Sequence, residues 1–176
     1  MSNIYELPFS GFKVGHAEDT SVITGTTACV FDEPAVAAVH IMGASPGTRE
    51  TELLNPEYAV AKVDAIVLSG GSAFGLDAAG GCQAKLKEEG RGIFIDPVSI
   101  PIVPSAILFD MRNEGNKDWG RFSPYRELGY KATSQASNRV ALGRAGAAFG
   151  ASTANTKGGF GMASSRFAGG HILAMV

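Results

Sequence analysis

Few residues in this chain have the type and setting for chemistry, and most of those lie in glycine-rich turns. Lys157 sits in Ala151-Ser-Thr-Ala-Asn-Thr-Lys-Gly-Gly-Phe-Gly-Met-Ala-Ser-Ser165. A cation held in a cleft can stabilise a developing oxyanion or depress the pKa of a nucleophilic amine; an exposed loop lysine is the plainer reading. Leu68-Ser-Gly-Gly-Ser-Ala-Phe-Gly-Leu-Asp-Ala-Ala79 follows an apolar run and precedes a helical one. Strand, Gly70-Gly71 turn and helix start could cradle an anion on backbone N–H groups, or serve only as a tight turn. The Gly-Lys-Ser/Thr ending of a phosphate-binding loop and the GxGxxG dinucleotide fingerprint are both missing. Arg49 and Glu50, in Ser45-Pro-Gly-Thr-Arg-Glu-Thr51, read as a surface ion pair. His16, His40 and His171 have no ligand spacing, and no GxSxG nucleophile elbow accompanies them. Cys29 and Cys82 lie in apolar contexts and read as buried free thiols.

The elements that must position these residues follow from hydrophobic period and punctuation. Phe12–His16, Gly25–Phe31, Ala35–Met42 and Val63–Ser69 read as strands. Residues 43–57 form a loop, with a short helix expected to begin over Pro56–Val60. Ala73–Glu89 carries apolar residues at helical spacing (Phe74, Leu76, Ala78, Cys82, Ala84, Leu86) and stops at Gly90. Ile93–Ile95 and Pro101–Phe109 read as extended segments broken by Pro97, Pro101 and Pro104. Asn113–Pro124 is loop-like, and Tyr125–Ala136 is a second helix. Gly143–Thr156 is rich in Gly and Ala, and Gly161–Ser165 and His171–Val176 are strands. Strands alternating with helices predict an α/β or α+β fold, with strands not all parallel because several connections are short.

The 176 residues fit a single domain, 1–176. A hydrophobic content of 45% supports a core, and the low charged fraction of 18% suggests surface buried by another chain or by copies of this one. There are 23 glycines, about twice the usual share. A net charge of −2 gives no electrostatic case for nucleic acid or an anionic membrane. No basic-then-apolar leader begins the chain, and no apolar stretch approaches the ~20 residues of a membrane span. A cytoplasmic protein is expected.

Taken together, the 45–51 and 68–79 motifs resemble one family: the autoprocessing DmpA-type amide hydrolases, which include L-aminopeptidase/D-esterases, β-peptidyl aminopeptidases and endo-type nylon-oligomer hydrolases. The resemblance runs from Gly11 to Val176 and includes Val14-Gly-His16. It implies a four-layer α/β/β/α sandwich, shared with ornithine acetyltransferase and incomplete without a second, C-terminal chain. It implies self-cleavage before a Ser or Thr, whose freed amine and hydroxyl then attack an amide or ester carbonyl. It implies a cleft lined by Lys157, by the turn Gly70, Gly71, Ser72, Ala73 and Phe74, and by the Pro101–Asp110 segment, with Arg49 ordering a nearby loop. Members often carry tyrosine at or near Phe109, which here has no hydroxyl to donate. Aminopeptidase members anchor the substrate amine with a glutamate where this chain has Ser105. Both departures lean toward the endo-type branch. The resemblance also implies no cofactor or metal, a short peptide or amide substrate, a smaller nucleophile-bearing subunit cut from the same precursor, and an oligomer of such heterodimers. Since the oxyanion asparagine and the nucleophile would lie beyond Val176, chain 1–176 alone is expected to be inactive. The alternatives are an acyltransferase of the ornithine acetyltransferase type, or a non-catalytic scaffold that keeps the fold.

Overall fold

Thirteen strands and two α-helices make up the computed structural model, which describes residues 3–176. In chain order they are β1 (Asn3–Glu6), β2 (Phe12–Asp19), β3 (Thr24–Ala35), β4 (Thr48–Arg49), β5 (Val63–Ser69), α1 (Ala78–Glu88), β6 (Ile93–Ile95), β7 (Val98–Ile100), β8 (Ser105–Ile107), α2 (Tyr125–Ser134), β9 (Arg139–Leu142), β10 (Ser152–Thr153), β11 (Thr156–Lys157), β12 (Met162–Phe167) and β13 (Gly170–Met175). The central sheet has the order β2-β3-β5-β8-β4. Its pairings are antiparallel except for β5 with β8, where Val67 meets Ser105 in parallel register.

The alternation along β2, β3 and β5 sorts side chains onto two faces. Ala17, Ala28, Val30, Ala65 and Val67 join Ala78, Cys82, Leu86, Tyr125, Leu128 and Ala132 in the core beneath the two helices. Val14, Cys29 and Phe31 point the other way, toward Leu7, Val140, Ala148 and Phe160 and the strand pairs β1–β9 and β12–β13. A helix layer, a main sheet and the strand pairs of a further β layer thus form a mixed α/β, α+β sandwich. Both α-helices described lie on the same face of the main sheet.

Two expected elements are corrected. Ala35–Met42 is not a strand: β3 ends at Ala35 after an irregularity between Val30 and Ala35, and residues 36–42 run on without a partner. Val36 and Met42 are each 79% exposed. An apolar, β-branched run becomes a strand only where a neighbour pairs with it. Pro56–Val60 is not a helix either. A short 3₁₀ turn, Glu52–Leu54, precedes it. The Asn55 side chain then accepts from the Glu57 N–H at 3.2 Å, a local turn that competes with helix. Residues 72–77 form a 3₁₀ turn rather than the first turns of α1. Within 101–109 only Ser105–Ile107 pairs as strand.

Candidate active site

Strand β5 delivers the chain to Gly70-Gly71, and the turn beyond it is set by close approach. A side chain on Gly71 (φ +89°) would put its Cβ 2.0 Å from Tyr125 Cζ, and one on Gly70 would come 2.2 Å from Asp110 Oδ2. Glycine alone fits there. The first three amides of the turn are spent inside the protein. Gly70 N–H donates to Gly25 O at 2.9 Å and Ser72 N–H to Leu108 O at 3.0 Å. Gly71 N–H donates to Asp110 Oδ1 at 2.7 Å, and Thr24 Oγ1 donates to the other carboxylate oxygen at 2.6 Å. At Gly70, Gly71 and Ser72 the anion cradle that a strand–turn–helix permits is therefore filled by the chain's own acceptors, Asp110 among them. Asp110 is buried, and in the sequence it stands out only as the end of the Pro101–Asp110 segment. The available signal was a carboxylate closing the apolar run Ala106-Ile-Leu-Phe109, which must find donors if buried.

Asp110 also borders a cavity of about 640 Å³, and Phe109 and Lys157 line that same cavity. The two segments that carry them are tied together. Asn113 donates through Nδ2 to Ile23 O at 2.7 Å and to Gly150 O at 3.2 Å. Lys117 donates to Asn113 Oδ1 at 2.8 Å and to Val22 O, and its partial burial lowers its pKa. Lys157 follows the tip of the β10–β11 hairpin, opposite Ser152. Ala154 at that tip lines the cavity with φ +50°, the left-handed region that disfavours alanine. Phe109 is not a core aromatic: it is 56% exposed, with the Arg112 guanidinium 5.8 Å from its ring centroid.

Other residues singled out above lie elsewhere. Ala73 and Phe74 border a separate cavity of about 550 Å³, where Phe74 meets Trp119 edge-on at 5.4 Å. Ser105 is buried in β8 with its hydroxyl unpartnered. Its neighbours Ala106 and Ile107 line an apolar cavity of about 300 Å³ with Leu68 and Phe160. Arg49 makes no pair with Glu50. It reaches Leu76 O at 3.3 Å and Gln83 Oε1 at 3.0 Å, tying the 43–51 loop to α1.

His16 serves the scaffold. Ala147 N–H donates to Thr27 Oγ1 at 3.0 Å, and Thr27 and His16 Nδ1 are 2.9 Å apart. His16 Nε2 lies 3.1 Å from Ala141 O. A carbonyl can only accept, so Nε2 carries a proton; burial lowers the pKa of the ring. Burial likewise pushes the thiols of Cys29 and Cys82 up, to about 12 and about 11, so both are inert at neutral pH. Among the described residues no group of three or more His, Cys, Asp or Glu could hold a metal ion. No helix there is long and apolar enough to cross a membrane.

Comparison with known proteins agrees with the motifs. The model of peptidase family S58 matches residues 9–176. Uncharacterized aminopeptidases of Mycobacterium tuberculosis and Mycobacterium bovis are each 40% identical over 168 residues, covering 91% of this chain and 48% of theirs. One from Mycobacterium leprae is 39% identical over 173 residues, covering 88% of this chain and 46% of its own. The chain thus spans about half the length of the curated relatives it matches. A β-aminopeptidase from a Burkholderia species superposes with a TM-score of 0.65 at 20% identity, over 90% of this chain and 45% of its own. A Pyrococcus horikoshii protein does so at 0.67 and 21% identity, over 88% and 46%. With the family model spanning nearly the whole sequence and the fold shared, the chain belongs to peptidase family S58, the family of the DmpA-type hydrolases.

Proposed function

We propose that this chain is the larger, N-terminal part of a self-cleaving amide hydrolase, and that a Ser or Thr on a downstream segment of the same precursor supplies the nucleophile. The observation that carries the reading is the meeting of Lys157 and Phe109 in one cavity, beside a glycine turn braced by a buried carboxylate. In this reading the freed hydroxyl attacks the amide carbonyl and the amine leaves with a proton. Water then releases the acyl group and restores the hydroxyl. The Lys157 ammonium stabilises the oxyanion of each tetrahedral intermediate. Phe109 gives an apolar wall where a tyrosine would give a hydroxyl, which favours linear amides without a strict demand for a free amine. The apolar surface left open on residues 36–42 and on β6–β7 supports burial by the smaller subunit and by further copies of the heterodimer. The site needs no cofactor, and the reading is of a cytoplasmic enzyme.

The test is intact-mass spectrometry of the denatured protein expressed from its complete gene, joined to an assay with amino-acid p-nitroanilides. The expected result is two polypeptides, the second beginning with Ser or Thr, and turnover that drops about 10²–10³-fold in Lys157→Met. A single uncleaved species without turnover would overturn the reading.

A further inference from the structure

We propose that the 640 Å³ cavity selects amide substrates that carry a carboxylate, with Arg112 and Arg144 as its anchors. The inference rests on the hydrolase reading above and names its substrate class. Three cations, Arg112, Arg144 and Lys157, line this cavity. None of them is ion-paired among the described residues. Two carboxylates face them. Asp110 is already committed, accepting from Gly71 N–H and Thr24 Oγ1. Glu114 alone is left uncommitted at the rim. The balance favours an anion and disfavours an ammonium group.

Both arginines are exposed; Arg144 is held by hydrogen bonds and a ring contact, Arg112 by a ring contact alone. Arg144 donates through Nε and Nη2 to Phe149 O at 3.3 and 3.1 Å, and its guanidinium lies 5.1 Å from the Phe149 ring centroid. Arg112 rests over Phe109. A guanidinium on an aromatic face keeps in-plane N–H groups for a carboxylate, and being positioned beforehand it loses less entropy on binding. Phe109 and Phe149 therefore act as platforms, and Phe109 has a use that needs no hydroxyl. Lys157 stays with the reacting carbonyl, while the arginines take an anionic group a few bonds away. That group is either the terminal carboxylate of a short peptide or an acidic side chain.

The experiment compares hydrolysis of Ala-Ala-Ala, Ala-Ala-Ala-amide and Ala-Asp-Ala-amide by the protein expressed from its complete gene, following amine release. We expect the free tripeptide to exceed the neutral amide by about tenfold to a hundredfold in kcat/KM, expressed in KM, as a charge-assisted contact would give. Recovery of rate by Ala-Asp-Ala-amide assigns the anchor to side chains as well; no recovery confines it to the terminal carboxylate. In Arg144→Leu and Arg112→Leu the preference falls toward unity, and Arg144→Lys keeps part of it. If a variant does not fold, salt serves with the unaltered protein, because screening must shrink the preference. Equal rates on all three peptides, a preference that salt leaves intact, or one untouched in both leucine variants would overturn the inference while leaving the hydrolase reading in place. Failure to cleave any amide would instead strike the hydrolase reading, and this one with it.

Discussion

The two faces of the central sheet are built to different rules. Under the helices, small residues let backbones touch. A side chain on Gly81 would put its Cβ 1.8 Å from Arg126 O, one on Gly129 2.0 Å from Ala78 O, and one on Gly15 1.9 Å from Ala132 O. Ala28, Ala65, Ala78, Ala79, Cys82, Leu86 and Tyr125 are sealed from solvent there. Across the sheet the packing is looser and uses larger side chains. Phe12, Phe31, Met162 and Leu173 are only partly buried, and the 640 and 300 Å³ cavities open beside the 143–160 segment. The rigid face fixes where β5 and β8 end, and the open face spends that precision on cations and apolar walls. Close packing and the candidate site thus lie on opposite sides of one sheet.

The sharpest way to break this comparison uses two neighbouring glycines of α1. Gly81→Ala forces a methyl into the backbone of α2, so the helices must separate. We expect a loss of about 3 kcal/mol or more, seen as a lower urea midpoint. Gly80→Ala meets nothing nearer than Asp77 Oδ1 at 3.5 Å. It should gain about 0.5–1 kcal/mol from helix propensity alone. Similar effects at the two sites would mean the helix face is not close-packed.

Asp110 joins the two faces, so it should come next in magnitude. Asp110→Ala strands two buried donors, Gly71 N–H and Thr24 Oγ1, and should cost about 2–3 kcal/mol while disordering the cavity wall. Asp110→Asn keeps an acceptor for Gly71, and the Thr24 hydroxyl can turn to accept, so it should cost less. Denaturant titration of the pair checks the order. An alanine variant no weaker than the asparagine variant would show that the turn does not depend on this carboxylate.

How much could be read beforehand follows the same division. Strands β2, β3 and β5 and both helices were legible, because their apolar period matches what they bury. Strand β1 was not: its partner is β9, far along the chain, and Asn3-Ile-Tyr-Glu6 has no pattern of its own. Residues 36–42 misled in the opposite sense, for their apolar run has nothing to pair with. At the site, Lys157 and Phe109 were singled out from their motifs, whereas Asp110, Arg112 and Arg144 were not. They come together only where the 109–114, 144–150 and 152–157 segments meet around one cavity, a contact no local spacing encodes. The Ser105 hydroxyl, singled out by position, is buried and unpartnered.

His16 tests the open face by its protons. Its ring is 4.8 Å from Phe160, edge-on, and its two nitrogens bond Thr27 and Ala141. Burial is the main cause of the lowered pKa, against smaller opposing effects from the Glu18 charge and the Ala141 carbonyl. With the folded pKa below the unfolded value near 6.5, the unfolded chain binds the extra proton first as pH falls. The sign follows. His16 leaves stability untouched well above pH 6.5 and erodes it progressively below, by no more than about 1.4 kcal/mol per pH unit for one proton. A His16→Gln variant should be weaker at pH 8, where the network is intact in the parent, yet show a shallower decline toward pH 5. Parallel curves for parent and variant would mean that the imidazole titrates as freely in the fold as in water. The face opposite the helices would then be wetter at its centre than the Thr27–His16–Ala141 bridge requires.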